Sequence, residues 1–261
     1  MRILITNDDG INAPGLQALL AIADDLTTED KIHVVAPAFE QSGVGHCISY
    51  TRPLMVSYLP SGRVAVDGSP ADCVIAGLYE VLNDTKPDLI LSGVNRGNNS
   101  AENTLYSGTI GATIEGALQR IPSIALSQYY GPENVTLEDP FEAARSHGAA
   151  TVRKILEAGF DNDAPYGLFY NVNFPPVPAA DVKGTRVVPQ GVRPGVHFSA
   201  KTTQAPNGRN YLWIGGGDQR TPTAPDTDGA ANLDGYISVT PMRADLTAHD
   251  QLAHVAQAFK D

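Results

Sequence analysis

The sequence predicts an α/β fold built on a mostly parallel sheet, followed by a region of antiparallel hairpins. Two observations favour this class. Short apolar segments alternate with segments of helical periodicity through the first two thirds of the chain, a pattern typical of β-α-β units with parallel strands. After that, the segments become rich in Gly, Pro and Thr, a composition more typical of hairpins than of crossover units.

The first unit consists of a strand, a turn, a helix and a second strand. RILIT, at residues 2–6, is a short apolar run typical of a buried strand, and residues 7–10 form the turn. Pro14 suits the first turn of a helix, with Asn12 as its predicted cap, and the apolar residues that follow recur at helical spacing. KIHVVAP supplies the second strand. Such a unit places its strands parallel, with a right-handed crossover.

The same alternation continues through the middle of the chain. Ser69 is the predicted cap of the second helix, and Pro70 is at its first position. We predict further strands in RVAVDG, DLILSGVN, PSIALS and LFYNVNFP, and helices in SPADCVIAGLYEVL, SGTIGATIEGAL and FEAARSHGAATVRKILEAG.

The last third of the chain is predicted to be different. A long polar loop spans residues 217–235, and loops of that length are usually functional or lie over a partner. A helix, DQLAHVAQAFK, is expected near the end of the sequence. Antiparallel hairpins are predicted from TRVVPQ, NYLWIGG and GYISVTPMRAD.

Composition excludes several classes of protein. The net charge of −11 argues against binding to a nucleic acid polymer, although an anionic small molecule is still possible through a metal ion or a helix N-terminus. No apolar run approaches the roughly 18–20 residues of a membrane span. MRILITNDDG does not resemble a leader, so we expect a cytoplasmic protein without a membrane partner. The two cysteines, Cys47 and Cys73, are expected to be free thiols, one of them buried on a helix.

Polar, glycine-rich segments follow three of the predicted strands. They are NDDG at residues 7–10, PAFEQSGVG at 37–45 and GVNRGNN at 93–99. In open parallel sheets, ligands bind outside the carboxyl ends of the strands. The sequence therefore predicts a site at this edge of the sheet.

Adjacent carboxylates at Asp8 and Asp9 indicate a divalent cation. Hard cations prefer oxygen ligands, and Ser42 and Asn95 can add a hydroxyl and an amide oxygen. Gly10 permits the turn that both carboxylates need to reach one ion. Few protein ligands and several waters suit Mg²⁺ or Mn²⁺. The alternative is a solvated turn whose charges lie near a helix N-terminus.

A second candidate feature is YSGTIGATIEG at residues 106–116. Ser-Gly-Thr opens a helix there, and the exposed N–H groups and hydroxyls can bind an anion. A plain helix cap is the alternative. The segment lacks the GxxxxGK[ST] pattern, and the chain has no GxSxG nucleophile motif, so a P-loop and a covalent serine mechanism have little support.

These motifs together resemble the survival-protein SurE family, whose members are metal-dependent nucleoside monophosphate phosphatases. The resemblance covers nearly the whole chain, in order and with family-like spacing. The segments that carry it are ITNDDGINAPG, QSG at 41–43, SGVNRGNN at 92–99, YSGT at 106–109 and GYISVTPMRADLTAH.

The resemblance implies an architecture and an assembly. It implies a Rossmann-like core with a C-terminal part that exchanges segments between subunits of a homodimer or homotetramer. We accordingly expect a single α/β domain over residues 1–261, with its core at about 1–180 and oligomerisation hairpins and a C-terminal helix at about 181–261. The exchanged parts would be residues 185–245 and the last helix.

The resemblance also implies a site and a reaction. One divalent ion per subunit, Mg²⁺ or Mn²⁺, would be held by Asp8, Asp9, Ser42 and Asn95, and Asp8 or Asp9 would orient the attacking water. The reaction would be hydrolysis of nucleoside 5′-monophosphates to nucleoside and phosphate. Predicted substrate contacts are Ser107, Gly108 and Thr109 for the phosphate, together with Asn12 and Asn99.

Two alternatives are considered. One is a broader phosphatase that acts on 3′-nucleotides or polyphosphate, and the other is a non-catalytic nucleotide-binding module. The chain also departs from the family at residues 101–103, which are Ala-Glu-Asn where Gly-Asp-Asp or a similar triplet is frequent. A carboxylate is retained at Glu102 and absent at Asn103, so substrate preference is where we expect this chain to differ.

Overall fold

A nine-stranded mixed sheet forms the centre of the molecule in the computed structural model, which describes residues 1–83, 85–161, 163–195 and 198–260. Six neighbouring strands are parallel and follow the order β4-β2-β1-β5-β6-β7. This is the Rossmann strand order, with its switch point between β1 and β5. The six strands are β1 (Ile3–Thr6), β2 (Ile32–Pro37), β4 (Val64–Val66), β5 (Leu89–Arg96), β6 (Ser123–Gln128) and β7 (Phe169–Phe174).

Antiparallel pairings lie at the edges of the sheet. On one side, β3 (Val56–Tyr58) pairs with β4; on the other, β11 (Ile237–Met242) runs antiparallel to β7 and parallel to β8 (Thr185–Val187). A separate antiparallel hairpin consists of β9 (Ser199–Gln204) and β10 (Asn210–Gly215). The predicted fold class, a mostly parallel α/β sheet with a C-terminal hairpin, is confirmed.

Helices cover both faces of the sheet, which explains why its central strands are apolar throughout. Side chains alternate along a strand, so Ile3 and Ile5 of β1 belong to one core cluster and Leu4 to another on the opposite face. Helices α1 and α4 supply the first cluster, and α2 supplies the second. The helices are α1 (Pro14–Asp24), α2 (Pro70–Ala76), α3 (Gly108–Leu118), α4 (Glu142–Ala158), α5 (Asp228–Leu233) and α6 (Leu252–Gln257).

Of the two helix caps predicted from the sequence, one is confirmed and the other is wrong. Ser69 caps α2 in a capping box: its hydroxyl accepts a hydrogen bond from Asp72 N at 3.0 Å, and its own N–H donates to Asp72 Oδ2 at 2.8 Å. In α1, Pro14 is at the first position as predicted, but Ala13 is the cap and Asn12 is exposed. The prediction that Asn12 caps α1 is wrong.

The C-terminal region departs further from the prediction. TRVVPQ and GYISVTPM extend the main sheet as β8 and β11, and NYLWIGG alone of the three predicted segments forms a hairpin strand, β10. The predicted polar loop at residues 217–235 contains α5, where Asp228 and Asn232 are buried. Its six residues are too few, and its buried side too polar, for hydrophobic periodicity to reveal it.

The prediction about the two cysteines is also confirmed. Both cysteines are free, with Cys47 exposed and Cys73 buried on α2. Each helix in the described residues lacks the length or the apolarity that a membrane span requires.

Candidate active site

The turn after β1 places two carboxylates at the switch point of the sheet. The Asn7 side chain closes this turn on Gly10: Gly10 N–H donates to Asn7 Oδ1 at 3.2 Å, and Asn7 Nδ2 donates to Gly10 O at 2.8 Å. Gly10 has a φ of +100°, a conformation that glycine adopts without steric cost. Asp8 and Asp9 therefore lie on a fixed turn at the carboxyl edge.

The loop after β2 docks onto this turn through its backbone. Gln41 N–H donates to Asp8 O at 2.7 Å, and Ile11 N–H donates to Pro37 O at 2.8 Å. Ser42 follows directly, and its hydroxyl donates to Glu40 Oε1 at 2.8 Å. The loop at the carboxyl end of β2 is thus brought against the turn at the carboxyl end of β1.

Asp8 is buried and is oriented by the start of α3. Its Oδ1 accepts a hydrogen bond from Thr109 Oγ1 at 2.7 Å, and its Oδ2 accepts one from Thr109 N–H at 3.2 Å. Burial raises the pKa of Asp8 to about 6; the Thr109 hydroxyl acts in the opposite direction, and the negative charge of Asp9 adds to the rise. The fold therefore disfavours the Asp8 charge when no cation balances it.

Asp9 is half-buried and is held by β5. Its Oδ2 accepts a hydrogen bond from Arg96 N–H at 3.0 Å. Burial raises its pKa, the Arg96 N–H and charge oppose the rise, and Glu40 adds to it. Asp9 lines a small cavity of about 140 Å³ with Glu40 and Arg96, beside the main pocket.

The main pocket has a volume of about 450 Å³ and opens at the switch point. Asp8, Ser42, Asn95 and Ser107 all line it. An extra residue in β5 between Ser92 and Asn95 breaks the register with β6. Asn95 Nδ2 donates to Gly97 O at 2.9 Å, which leaves Asn95 Oδ1 without a hydrogen bond among the described residues.

The predicted phosphate-contact residues take up different positions. Ser107 lines the pocket as the cap of α3, and its hydroxyl accepts a hydrogen bond from Ile110 N–H at 3.1 Å. Gly108 packs against Asp8, where an added Cβ would lie 3.0 Å from Asp8 Cβ. Thr109 is fully buried behind Asp8, so both of its hydrogen bonds described above position that carboxylate.

The two asparagines that were predicted to contact the substrate lie in different environments. Asn99 lines the pocket, where its Nδ2 donates to Ser127 Oγ at 2.9 Å and its N–H donates to Asn173 Oδ1 at 2.7 Å. Asn12 is exposed on the loop before α1 and is not among the described residues that line the pocket.

A buried arginine that no sequence pattern revealed, Arg193, fixes the loop that follows β5. The Arg193 side chain is 1% exposed. Its Nη1 donates to Glu102 Oε1 at 3.0 Å and to Ser100 O at 3.1 Å, and its Nη2 donates to Asn98 Oδ1 at 3.1 Å. Asp228 of α5 accepts a hydrogen bond from Ala101 N–H at 2.9 Å. No local motif marks these residues, because their partners are about 90 or more positions away.

Aromatic side chains also line the pocket, and no sequence pattern revealed them. Tyr106 and Phe198 meet edge to face, with ring centroids 4.9 Å apart. Asn103 Nδ2 donates to Gln219 Oε1 beside them. The polar loop at 217–235 therefore does reach the pocket, through Gln219.

The donors available for a metal ion are oxygens. Among the described residues, no group of three or more His, Cys, Asp and Glu side chains is arranged to hold an ion. Asp8 and Asp9 supply carboxylates at this edge, and Ser42 and Asn95 add a hydroxyl and an amide oxygen in the same region. This donor set suits a hard divalent cation that keeps several waters.

The strand order and the position of the pocket define the class: a Rossmann-like α/β protein with its ligand site at the switch point. Residues 3–195 match the family described as Survival protein SurE. The chain belongs to that family.

Individual relatives agree with this assignment over the full length of the chain. Proteins called 5′-nucleotidase SurE from Jannaschia sp. (strain CCS1) and Ruegeria sp. (strain TM1040) are 65% and 66% identical, with 100% and 96% of each chain covered. The crystal structure of SurE protein from Aquifex aeolicus superposes with a TM-score of 0.81 at 35% identity, covering 100% of both chains.

Proposed function

We propose that this chain is a 5′-nucleotidase, a hydrolase that converts nucleoside 5′-monophosphates to nucleoside and phosphate. One observation carries the proposal: the buried Asp8 carboxylate, oriented by Thr109, lines the same pocket as Ser42, Asn95 and the helix cap Ser107. A carboxylate can hold a metal ion or accept a proton from water, a hydroxyl can add a metal ligand, and a helix N-terminus can bind phosphate oxygens. The names of the full-length relatives support the same activity.

One divalent ion, Mg²⁺ or Mn²⁺, fits the donors at this edge. Asp8 and Asp9 both have a pKa raised by burial, so the folded chain holds two charges that a cation would stabilise. Asp8, Asp9, Ser42 and Asn95 would hold the ion. When bound, it would supply Lewis acidity toward the phosphate and lower the pKa of a coordinated water.

The chain's own residues would do the rest of the chemistry. The start of α3 would bind a phosphate oxygen through Gly108 N–H and the positive end of the helix dipole, because Thr109 N–H and Ile110 N–H already donate to Asp8 and Ser107. Asp8 or Asp9 would accept the proton of the attacking water as its oxygen bonds to phosphorus. The ester bond to the nucleoside then breaks, and the nucleoside oxygen takes up a proton. Thr109 and Arg96 N–H would keep the two carboxylates oriented.

A homodimer or homotetramer is part of the proposal, and exposed apolar side chains support it. The hairpin strand β10 exposes four consecutive large hydrophobic residues. The C-terminal segment around α6 exposes three more. Because β8 and β11 pair within the chain's own sheet, β10 and the last helix are the parts best placed for exchange between subunits. The exposed residues are Tyr211, Leu212, Trp213, Ile214, Leu252, Val255 and Phe259.

The test is phosphate release from a panel of nucleoside 5′-monophosphates, 3′-nucleotides and polyphosphate. We expect release from 5′-monophosphates that stops with EDTA and returns with added Mn²⁺ or Mg²⁺. Asp9→Asn should lower kcat more than about 100-fold with an unchanged circular dichroism spectrum, because the ion is lost. The exposed Asp24→Asn on α1 is the matched control.

Other outcomes would contradict parts of the proposal. Release that persists in EDTA, or near-wild-type rates for Asp9→Asn, would contradict the metal assignment. Preference for 3′-nucleotides or polyphosphate would favour the broader phosphatase, and binding of AMP without turnover would favour a binding module. Fractionation of cells of the source organism would test the cytoplasmic location that belongs to the same proposal.

A further inference from the structure

Two chemically different groups of side chains line the pocket. Asp8, Ser42 and Ser107 supply acidic and hydroxyl groups at the switch point. A second group forms an aromatic and amide-bearing wall that nothing in the hydrolysis described above uses; it consists of Tyr106, Phe198, Asn103 and Gln219. The pocket volume of about 450 Å³ lies within the range of about 300–1,000 Å³ that ligand pockets occupy, so one ligand has room to contact both groups.

Tyr106 and Phe198 form an open aromatic corner in this wall. Their rings are 4.9 Å apart at 82°, an edge-to-face arrangement in which each ring keeps an open face. Both rings line the pocket and are 44% and 52% exposed. Half-exposed aromatic rings inside a pocket are a stacking surface for a planar ligand.

Two amides lie beside the aromatic corner and are held in place. Asn103 Nδ2 donates to Gln219 Oε1, and it also donates to Asn98 O at 3.3 Å. The buried Arg193 fixes the loop backbone, since its Nε donates to Gln219 O at 3.3 Å. Asn and Gln side chains offer both donors and acceptors, which are the groups that a base edge pairs with.

We infer that Tyr106, Phe198, Asn103 and Gln219 form a subsite for the nucleobase. The inference rests on the proposed function, because the phosphate at the Asp8 end is what aims the rest of the nucleotide toward this wall. A base is planar, aromatic and edged with donors and acceptors, so it matches both the open ring faces and the fixed amides. The wall thus selects nucleotides over other phosphate monoesters.

The experiment compares AMP with ribose 5-phosphate, which has the same sugar and phosphate but no base. For Tyr106→Ala and Phe198→Ala, we expect kcat/KM for AMP to fall about tenfold or more, through KM. For ribose 5-phosphate, kcat/KM should stay within about twofold. Tyr106→Phe, which keeps the ring, should retain a higher kcat/KM for AMP than Tyr106→Ala. Tyr50→Ala, which removes an 87% exposed tyrosine outside the pocket, should behave like wild type.

Two outcomes would overturn the subsite. One is an unchanged kcat/KM for AMP in both alanine variants. The other is an equal loss on both substrates in variants with an intact circular dichroism spectrum, which would mean that the rings shape the site as a whole. If Phe198→Ala fails to fold, Phe198→Leu keeps the apolar volume without the ring and takes its place.

A separate readout distinguishes failure of the subsite from failure of the proposed function. If the wild-type protein hydrolyses neither substrate, the nucleotidase proposal fails, and calorimetric binding of AMP and ribose 5-phosphate then tests the subsite alone. We expect AMP to bind at least about tenfold more tightly, and Tyr106→Ala to remove this difference. Equal binding of the two compounds by wild type would overturn the inference.

Discussion

At the scale of a single residue, Asp8 is a buried carboxylate whose ionisation is unfavourable in the folded state. The residue is 3% exposed and adjacent to Asp9, and Thr109 donates two hydrogen bonds to its carboxylate. The pKa of about 6 follows from that burial. A buried charge without a counter-ion lowers the stability of the folded state, which is consistent with the catalytic role proposed for Asp8.

The pH dependence of stability follows from this shift. Between about pH 4 and pH 6, the folded state keeps a proton on Asp8 that the unfolded state has released. In the metal-free protein, the ionised Asp8 should therefore lower the free energy of unfolding above pH 6, by about 2–3 kcal/mol at most. This destabilisation should disappear as the pH falls to 4. The free energy of unfolding of wild type minus that of Asp8→Asn isolates this contribution.

Urea unfolding in EDTA at several pH values measures it. We expect the unfolding free energy of wild type to increase relative to Asp8→Asn as the pH is lowered from 7 to 4. A difference that is constant over this range would mean that Asp8 titrates normally in the folded state.

At the scale of elements, α3 supports the site more than it forms a surface for substrate. Its cap Ser107 faces the pocket, but Gly108 and Thr109 pack on Asp8. Gly111 lies against the loop that carries Ser42, where an added Cβ would be 2.3 Å from Gly45 O. One helix thus fixes groups that come from two strand ends.

Removing the Thr109 hydroxyl tests this supporting role. Thr109→Val keeps the shape and the backbone N–H but leaves Asp8 Oδ1 without its 2.7 Å donor. We expect kcat/KM for AMP and the affinity for Mn²⁺ each to fall about 10–100-fold, as for other groups that orient metal ligands. Thr109→Ser restores the donor and should recover most of both.

A purely structural role for Thr109 predicts a different pattern. In that case Thr109→Val would lower the melting temperature while the Mn²⁺ affinity of the folded fraction stayed at the wild-type value. Mn²⁺ titration by calorimetry and thermal unfolding on the same samples separate the two.

At the scale of the whole molecule, the hairpin strand β10 and the last helix leave apolar side chains uncovered. Strand β10 exposes Tyr211, Leu212, Trp213 and Ile214 at 51–69%. Phe259, near the end of the chain, is 82% exposed. Contiguous exposed apolar side chains of this kind support the proposed assembly of subunits.

Deletion of residues 246–261 should weaken the oligomer more than it damages the core. The described residues of α6 are exposed, whereas both core clusters lie on the sheet. We expect light scattering to give a smaller mass for the truncated chain, with an unchanged circular dichroism spectrum apart from the lost helix. An unchanged mass would count against segment exchange through this helix.

The sequence by itself determined the parallel β/α core and where its strands end. Local patterns carry that information, because a strand buried on both faces is apolar throughout and a polar turn must follow it. Asp8, Ser42, Asn95 and Ser107 could be named in advance for this reason: Asp8 and Ser42 lie in the segments that follow β1 and β2, Asn95 lies near the end of β5, and Ser107 caps α3.

The tertiary structure alone decided which aromatic residues line the pocket and which residues hold the neighbouring loop in place. Tyr106 meets Phe198 across 92 positions, and Arg193 reaches Asn98 across 95. The helix α5 that holds Ala101 through Asp228 has a polar buried side, so its sequence resembles a loop. Hydrophobic periodicity encodes which face of an element is buried, but contacts between distant polar and aromatic side chains depend on how the elements pack.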